Sequence, residues 1–183
     1  MQSMTKKVSI VIPCRNEEKY IKKCIDSITH STYDKKLLEV FICDGMSDDA
    51  TRKIISSYLS MSFIKLLDNP DKTTPHALNI GIKNSTGDIL IILGSHAELF
   101  PDYIQNCVFI LESDSSIGCA GGVLENVIED STSAAIAKAM SSAFGVGNAH
   151  FRTGSKEGFV DTVAFGAYKK NVFEKTGLFD QQL

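Results

Sequence analysis

The sequence predicts an α/β fold: a mostly parallel central sheet with helices on both faces. Apolar runs of strand length alternate along the chain with longer stretches whose apolar residues recur at helical spacing. The strand-length runs are nearly continuously apolar, as in residues 88–93, where only Asp88 is polar. The length, 183 residues, suits one domain with a sizeable core, at 43% hydrophobic and 22% charged residues.

Residues 8–12 read as a buried first strand. Residues 17–29 read as a helix, with Tyr20, Ile21, Cys24, Ile25 and Ile28 on one face. A second strand is expected over 37–43 and a second helix over 48–59, with Ser47 or Asp48 as its N-cap. Residues 63–67 form a third strand and 75–84 a short helix. Residues 88–93 form a fourth strand, and 101–111 a helix opened by proline. A strand over 117–124 follows. Residues 134–144 read as a small-residue helix, in a glycine-containing region where the pattern loosens. Residues 159–168 read as a strand with a tight turn at Gly166.

Several functional classes are excluded. The formal net charge of −3 argues against a nucleic-acid partner. No apolar run approaches the length of a membrane span, and the first residues lack a signal-peptide core. The five cysteines, Cys14, Cys24, Cys43, Cys107 and Cys119, form no C-x-x-C pair. They read as reduced, core-lining thiols of a cytoplasmic protein.

In open parallel sheets, ligands bind beyond the carboxyl ends of the strands. The first strand ends in Pro13-Cys14-Arg15-Asn16-Glu17-Glu18, and no glycine occurs between Met1 and Phe41. A glycine-rich dinucleotide turn or P-loop is therefore absent. Asn16 and Glu17 could equally cap the next helix. The second strand ends in Asp44-Gly45-Met46-Ser47-Asp48-Asp49. A carboxylate at such a tip can accept from a base imide or a ribose hydroxyl. Gly45 is expected to turn the chain with positive φ, and Asp48 and Asp49 suit a helix first turn.

Taken together, VSIVIPCRNEEKYIKKCIDSI, LLEVFICDGMSDDATRKII and NPDKTTPHALNIGIKNSTGDILIIL resemble the family 2 glycosyltransferases along the whole chain. His96 at a strand tip and FVDTVAFGAYKKNVFEKTGLFD resemble the succinoglycan type of exopolysaccharide enzyme. The resemblance implies a GT-A fold within a single domain, with residues 1–98 as the nucleotide-binding half and 99–183 as the start of an acceptor-binding half. It implies a nucleotide pocket lined by Pro13, Arg15, Asn16, Glu17 and Ser95, with Asp44 against the base, usually uracil. Asn79 matches a position near the nucleotide-sugar. Lys72 and Thr74 lie in the preceding loop, within reach of a diphosphate or simply solvated. His76 opens the helix near the same place. Asp161 and Gly166 fall in the stretch the resemblance sets beside sugar and acceptor.

A diphosphate leaving group gains negative charge, which a cation held on oxygen ligands neutralises. The fourth strand should therefore end in an acidic motif. It ends instead in Gly94-Ser95-His96-Ala97-Glu98. The resemblance implies that Gly94 stands where the first acid is expected and that His96 keeps the last ligand position, with Glu98 as a further donor. Imidazole suits manganese better than magnesium, so the expected cofactor is a divalent cation, Mn or Mg. An inverting transfer also needs a carboxylate to accept the acceptor's proton. The resemblance implies that this base follows Phe179-Asp180-Gln181-Gln182-Leu183, beyond Leu183.

The leading expectation is transfer of a sugar, most simply from a UDP-sugar, to a saccharide or lipid-linked acceptor in cell-surface or exopolysaccharide synthesis. Membrane association is allowed through regions outside this sequence. The alternative is a degenerate, non-catalytic nucleotide-binding domain. A nucleotidyltransferase is disfavoured, because PCRNEE is not the glycine-rich, basic loop that chemistry uses.

Overall fold

The computed structural model describes residues 6–127 and 158–182. Six strands are described: β1 (Val8–Cys14), β2 (Leu38–Asp44), β3 (Ile64–Asp68), β4 (Ile89–Ile92), β5 (Cys119–Ala120) and β6 (Ala167–Lys169). Five described α-helices accompany them: α1 (Ile21–Thr29), α2 (Thr51–Ser56), α3 (Thr74–Asn84), α4 (Tyr103–Ser113) and α5 (Lys170–Thr176). The strands form one sheet in the order β3-β2-β1-β4-β6-β5. β1 to β4 are mutually parallel, while β6 runs antiparallel to both β4 and β5.

Both sheet faces are covered, so β1 and β2 are almost wholly buried. On one face, Ile10, Ile12, Ile42 and Ile91 pack against Ile25 and Ile28 of α1, Ile55 of α2, and Ile104 and Leu111 of α4. On the other, Val11, Phe41, Cys43 and Leu90 pack against Ala77, Leu78 and Ile82 of α3. Gly81 permits this second layer, since a Cβ there would lie 2.3 Å from Val11 Cγ1.

The alternating pattern located the elements, and tertiary contacts moved their ends. The first helix begins at Ile21, not residue 17, because the backbone N–H groups of residues 16–18 are tied to the segment after β2. α2 keeps only 51–56 of the expected 48–59, and neither Ser47 nor Asp48 caps it. The 117–124 strand contracts to β5. Residues 159–168 do not form a strand: only Ala167 and Tyr168 of that stretch join β6. The positive φ lies at Phe165, at 52°. Gly166 instead provides room, because a Cβ there would meet Cys119 Sγ at 2.9 Å. Likewise the left-handed residue after β2 is Met46, at φ 56°, and not Gly45. The helix expected over 134–144 lies outside the described residues.

The chain forms two compact units, Met1–Ala120 with Phe165–Leu183, and Gly121–Ala164. The described residues of the second, 121–127 and 158–164, include no helix or strand. Among the described residues no helix is long and apolar enough to cross a membrane.

Candidate functional site

Parallel pairing aligns the carboxyl ends of the first strands: Cys14 faces Asp44, and Asp44 faces Asp68. Four described non-glycine residues have positive φ: Asn16 (53°), Met46 (56°), Lys72 (63°) and Phe165 (52°). Asn16, Met46 and Lys72 follow β1, β2 and β3. Phe165 precedes β6, which runs antiparallel and so starts beside the end of β4. Each such conformation costs roughly 1–3 kcal/mol, least for Asn, and strain of this kind concentrates where function constrains the backbone.

The first two strand-end loops are laced together. The Asn16 amide donates to Asp48 Oδ1 at 2.8 Å, and Asp48 N donates back to Asn16 Oδ1 at 3.1 Å. Asn16 N donates to Ser47 Oγ (2.9 Å), Glu17 N to Thr51 Oγ1 (2.8 Å) and Ala50 N to Glu18 Oε2 (3.0 Å). The Arg15 stem lies over Gly45, where a Cβ would approach it to 3.2 Å. Pro13 is half-buried at the end of β1, beneath these loops. Asn16 and Glu17 therefore cap no helix; they join two loops.

Asp44 has a fully buried side chain and closes this corner from below. Ser47 N donates to its Oδ2 at 3.0 Å, and the Ser47 hydroxyl donates to Oδ1. Arg52 Nη1 lies 2.7 Å from the same Oδ2, and Nη2 lies 2.7 Å from Asp68 Oδ1. Arg52 and Asp68 were not legible from motif spacing. The usable signals were an arginine eight residues beyond the tip acid and an acid ending the third strand.

In the next loop Lys72 and Thr74 are exposed, and α3 starts at Thr74. His76 is held by Thr73 Oγ1, 2.7 Å from its Nδ1, and has Asp71 at 3.8 Å. Asn79 is buried and bonded at both ends of its amide to the backbone of one residue: its amide donates to Phe179 O, and Phe179 N donates to its Oδ1, each at 2.9 Å. It thus clamps the segment carrying Asp180.

The β4 end is organised differently. Ala97 N donates to Gly94 O at 3.0 Å, making a turn with Ser95 buried and His96 exposed. His96 Nδ1 lies 3.8 Å from Glu17 Oε1, which joins the first strand end to the fourth. Glu98 is exposed. A Cβ on Gly94 would come within 2.8 Å of Phe165 Cε1, so the aromatic ring occupies the space an acid side chain would need. Phe165 is held in turn by Tyr103, whose hydroxyl donates to its carbonyl at 2.7 Å. Burial pushes the Tyr103 hydroxyl well above its ordinary range, so it stays a donor. Burial raises the Cys14 and Cys24 thiols as well, the latter to about 12, which removes them as nucleophiles. Asp161 is exposed and belongs to the second unit.

Among the described residues no group of three or more His, Cys, Asp or Glu could hold a metal ion. Glu17 and His96 offer two donors. A hard cation is commonly held by one or two protein groups with phosphate oxygens completing its shell. The residues fit a cation on those terms. The strand ends and the segments after them carry both carboxylates (Glu17, Glu18, Asp48, Asp49, Asp68 and Glu98) and the cations Arg15, Arg52 and Lys72.

Comparisons with known proteins bear on the family and the fold. The profile of the family described as Glycosyl transferase family 2 matches residues 9–177. The dolichyl N-acetyl-alpha-D-glucosaminyl phosphate 3-beta-D-2,3-diacetamido-2,3-dideoxy-beta-D-glucuronosyltransferase of Methanococcus voltae is 35% identical over 94% of this chain and 56% of its own length. Chondroitin synthase of Escherichia coli is 31% identical over 66% of this chain and 17% of its own length. The chain thus spans little more than half of one such relative, and less of the other. Among solved structures, a Pyrobaculum calidifontis mannosyltransferase in complex with GDP-Man and Mn2+ superposes with a TM-score of 0.71 at 21% identity, over 96% of this chain and 48% of that one. S. aureus TarS 1–349 in complex with UDP gives 0.68 at 16%, over 97% and 51%.

Proposed function

Since the chain belongs to glycosyl transferase family 2 and has the GT-A fold, we propose that its strand-end crevice binds a UDP-sugar and that the protein transfers the sugar with inversion. The acceptor is a saccharide or a lipid-linked saccharide, in the assembly of a cell-surface or exopolysaccharide glycan. The observation that carries this reading is the gathering of every described left-handed non-glycine residue at the carboxyl end of the parallel strands. The relatives' names support the acceptor class: one acts on a dolichyl-linked sugar phosphate, and another builds chondroitin. A lipid-linked acceptor would bring the protein to the inner face of the membrane.

In this reading Pro13, Arg15, Asn16 and Glu17 form one wall of the nucleotide pocket and Asp44 anchors its base end. Lys72 and Thr74 flank the diphosphate, and Ser95 shapes the turn that presents His96. Glu17 and His96, with Glu98 nearby, hold a divalent cation whose shell the diphosphate completes. When bound, the cation neutralises charge developing on the leaving diphosphate. Asn79 orients the Phe179–Asp180 backbone toward the region where the base is expected. The reaction is one displacement at the anomeric carbon: the acceptor oxygen forms the new bond, the bond to the diphosphate oxygen breaks, and a carboxylate takes the hydroxyl proton. None of the described acids is assigned as that base.

A second reading, nucleotide binding without transfer, draws on Gly94 and the Phe165 ring packed over it. Calorimetric titration with UDP, GDP and CDP, each with and without Mn2+, tests the shared premise. Binding of UDP strengthened at least tenfold by Mn2+ is expected; binding of none removes both readings. Transfer from a UDP-sugar by the full-length protein then separates the two.

A further inference from the structure

Past α5 the chain is held in a different way. Gly177 follows the helix at φ 84° and ψ −178°, a conformation essentially confined to glycine. A Cβ there would meet nothing within 4 Å, so the constraint is on the backbone and not on space. Residues 177–182 are all exposed, and the apolar side chains of Leu178 and Phe179 lie on the surface. Burial therefore does little to hold this strap. Two other devices hold it. The Phe179 N–H and C=O are both taken by the Asn79 amide, at 2.9 Å each. The Phe179 ring also stands 6.2 Å from that of Phe173 on α5, and Phe173 stands 5.4 Å from Tyr168 on β6, both pairs tilted. Beyond Phe179, Gln182 N donates to Asp180 Oδ1 at 2.9 Å and turns the strap again.

Packing alone does not call for an asparagine at position 79. Its helix neighbours Ala77, Leu78 and Ile82 are apolar and buried against the sheet, and Asn79 is itself 3% exposed. A buried amide is costly unless it is hydrogen-bonded, and here the backbone of one distant residue bonds both its ends. The same helix starts at Thr74, five residues earlier, or about 7.5 Å along its axis. That start carries the residues that flank the diphosphate in the reading above. One helix therefore joins the donor side to the strap.

We propose that Gly177 and Asn79 form a hinge and latch that position residues 178–182 for the transfer step while taking no part in holding the nucleotide. Gly177 sets the direction in which the strap leaves α5, and Asn79 fixes where the strap lies relative to the donor side. Both are positioning residues. The inference rests on the donor reading above and deepens it.

The test uses the full-length protein with Mn2+. Calorimetry measures UDP affinity. Steady-state UDP release is followed from UDP-glucose, UDP-galactose, UDP-N-acetylglucosamine and UDP-glucuronate, with water standing in for the acceptor. Asn79→Leu keeps the size of the side chain without its hydrogen bonds. It should lower kcat on the best donor at least thirtyfold, with KM and UDP affinity within about threefold of the unaltered protein. Hydrogen exchange at the Phe179 amide should quicken at least tenfold in the same variant. Gly177→Ala lies on the surface and should lower kcat at least tenfold, again with UDP affinity kept. UDP affinity that falls in step with kcat would show a structural or nucleotide-holding role and overturns the proposal. Unchanged kcat, or unchanged exchange at Phe179, also overturns it and leaves the donor reading standing. Where Asn79→Leu fails to fold, Gly177→Ala decides alone, and an unchanged kcat there is fatal to the proposal. If the unaltered protein binds UDP but releases it from none of the four donors, the transfer reading falls and takes this inference with it. If it binds no nucleotide, the donor reading falls first.

Discussion

The two ends of the same sheet are built on opposite principles. At the amino end, Glu39 is buried at the start of β2 and fully engaged: Ser9 Oγ donates to it at 2.6 Å, Thr86 N at 2.5 Å, and Lys7 Nζ lies 2.9 Å away. Ser9 Oγ also accepts from Gly87 N at 2.9 Å, and Lys7 N donates to Asp88 Oδ2 at 3.0 Å. None of the described left-handed non-glycine residues lies there. At the carboxyl end all of them appear, together with exposed charges whose partners sit on neighbouring loops. The amino end is a closed polar network that stabilises. The carboxyl end keeps strain and an unpaired buried acceptor, Asn69 Oδ1, as the proposed binding site would.

Breaking the amino end should have the largest effect on stability. Glu39→Gln is expected to cost about 2–3 kcal/mol, the scale for hydrogen bonds to a buried charged group, with nucleotide affinity unchanged. Burial alone would raise the Glu39 carboxyl, but the donors Ser9, Thr86 and Lys7 outweigh it and bring it from 4.5 down to about 2. A carboxylate depressed on folding stabilises above its unfolded value and loses that contribution as pH falls through the folded one. Glu39's share should thus fade between pH 4.5 and about 2. Urea unfolding of both proteins across that window checks this; a gap that stays constant on acidification contradicts it.

The β4 end offers a smaller effect. Gly94→Asp restores the acid that family likeness leads one to expect, yet the Phe165 ring stands 2.8 Å from the new Cβ. Overpacking of this kind costs about 1–3 kcal/mol, and no gain in Mn2+-dependent UDP binding should follow. Adding Phe165→Ala opens the space, so the double variant should bind the ion more tightly than the single one. Equal affinities would show that the ring is not the obstacle.

The smallest stability effect belongs to His96. Its side chain is 64% exposed, so His96→Ala should shift unfolding by less than about 0.5 kcal/mol. The same variant should abolish the Mn2+ enhancement of UDP binding. Enhancement that persists would remove His96 from the cation site.

Much of the fold could be read from residue pattern because strand and helix periods follow from local geometry. The runs at 8–12, 63–67 and 88–93 lie on β1, β3 and β4 to within two residues at each end. The residues of PCRNEE and CDGMSDD lie together because parallel pairing sets Cys14 opposite Asp44. The pattern misled where side chains had non-local partners. Asp48 has the composition of a helix cap, but Asn16 claims it from the next loop. The Asn79 amide also has a non-local partner that the sequence pattern did not show, the backbone of Phe179, one hundred residues on.

The sequence by itself determined the alternating α/β order, the absence of a glycine-rich phosphate turn, and the family. Each depends on residues near one another in the chain. Only the tertiary structure decided that Arg52 reaches both Asp44 and Asp68, that Phe165 packs where a side chain on Gly94 would lie, and that Glu17 meets His96. Those outcomes depend on strand pairing and on which side chain reaches a shared corner. No local period encodes them.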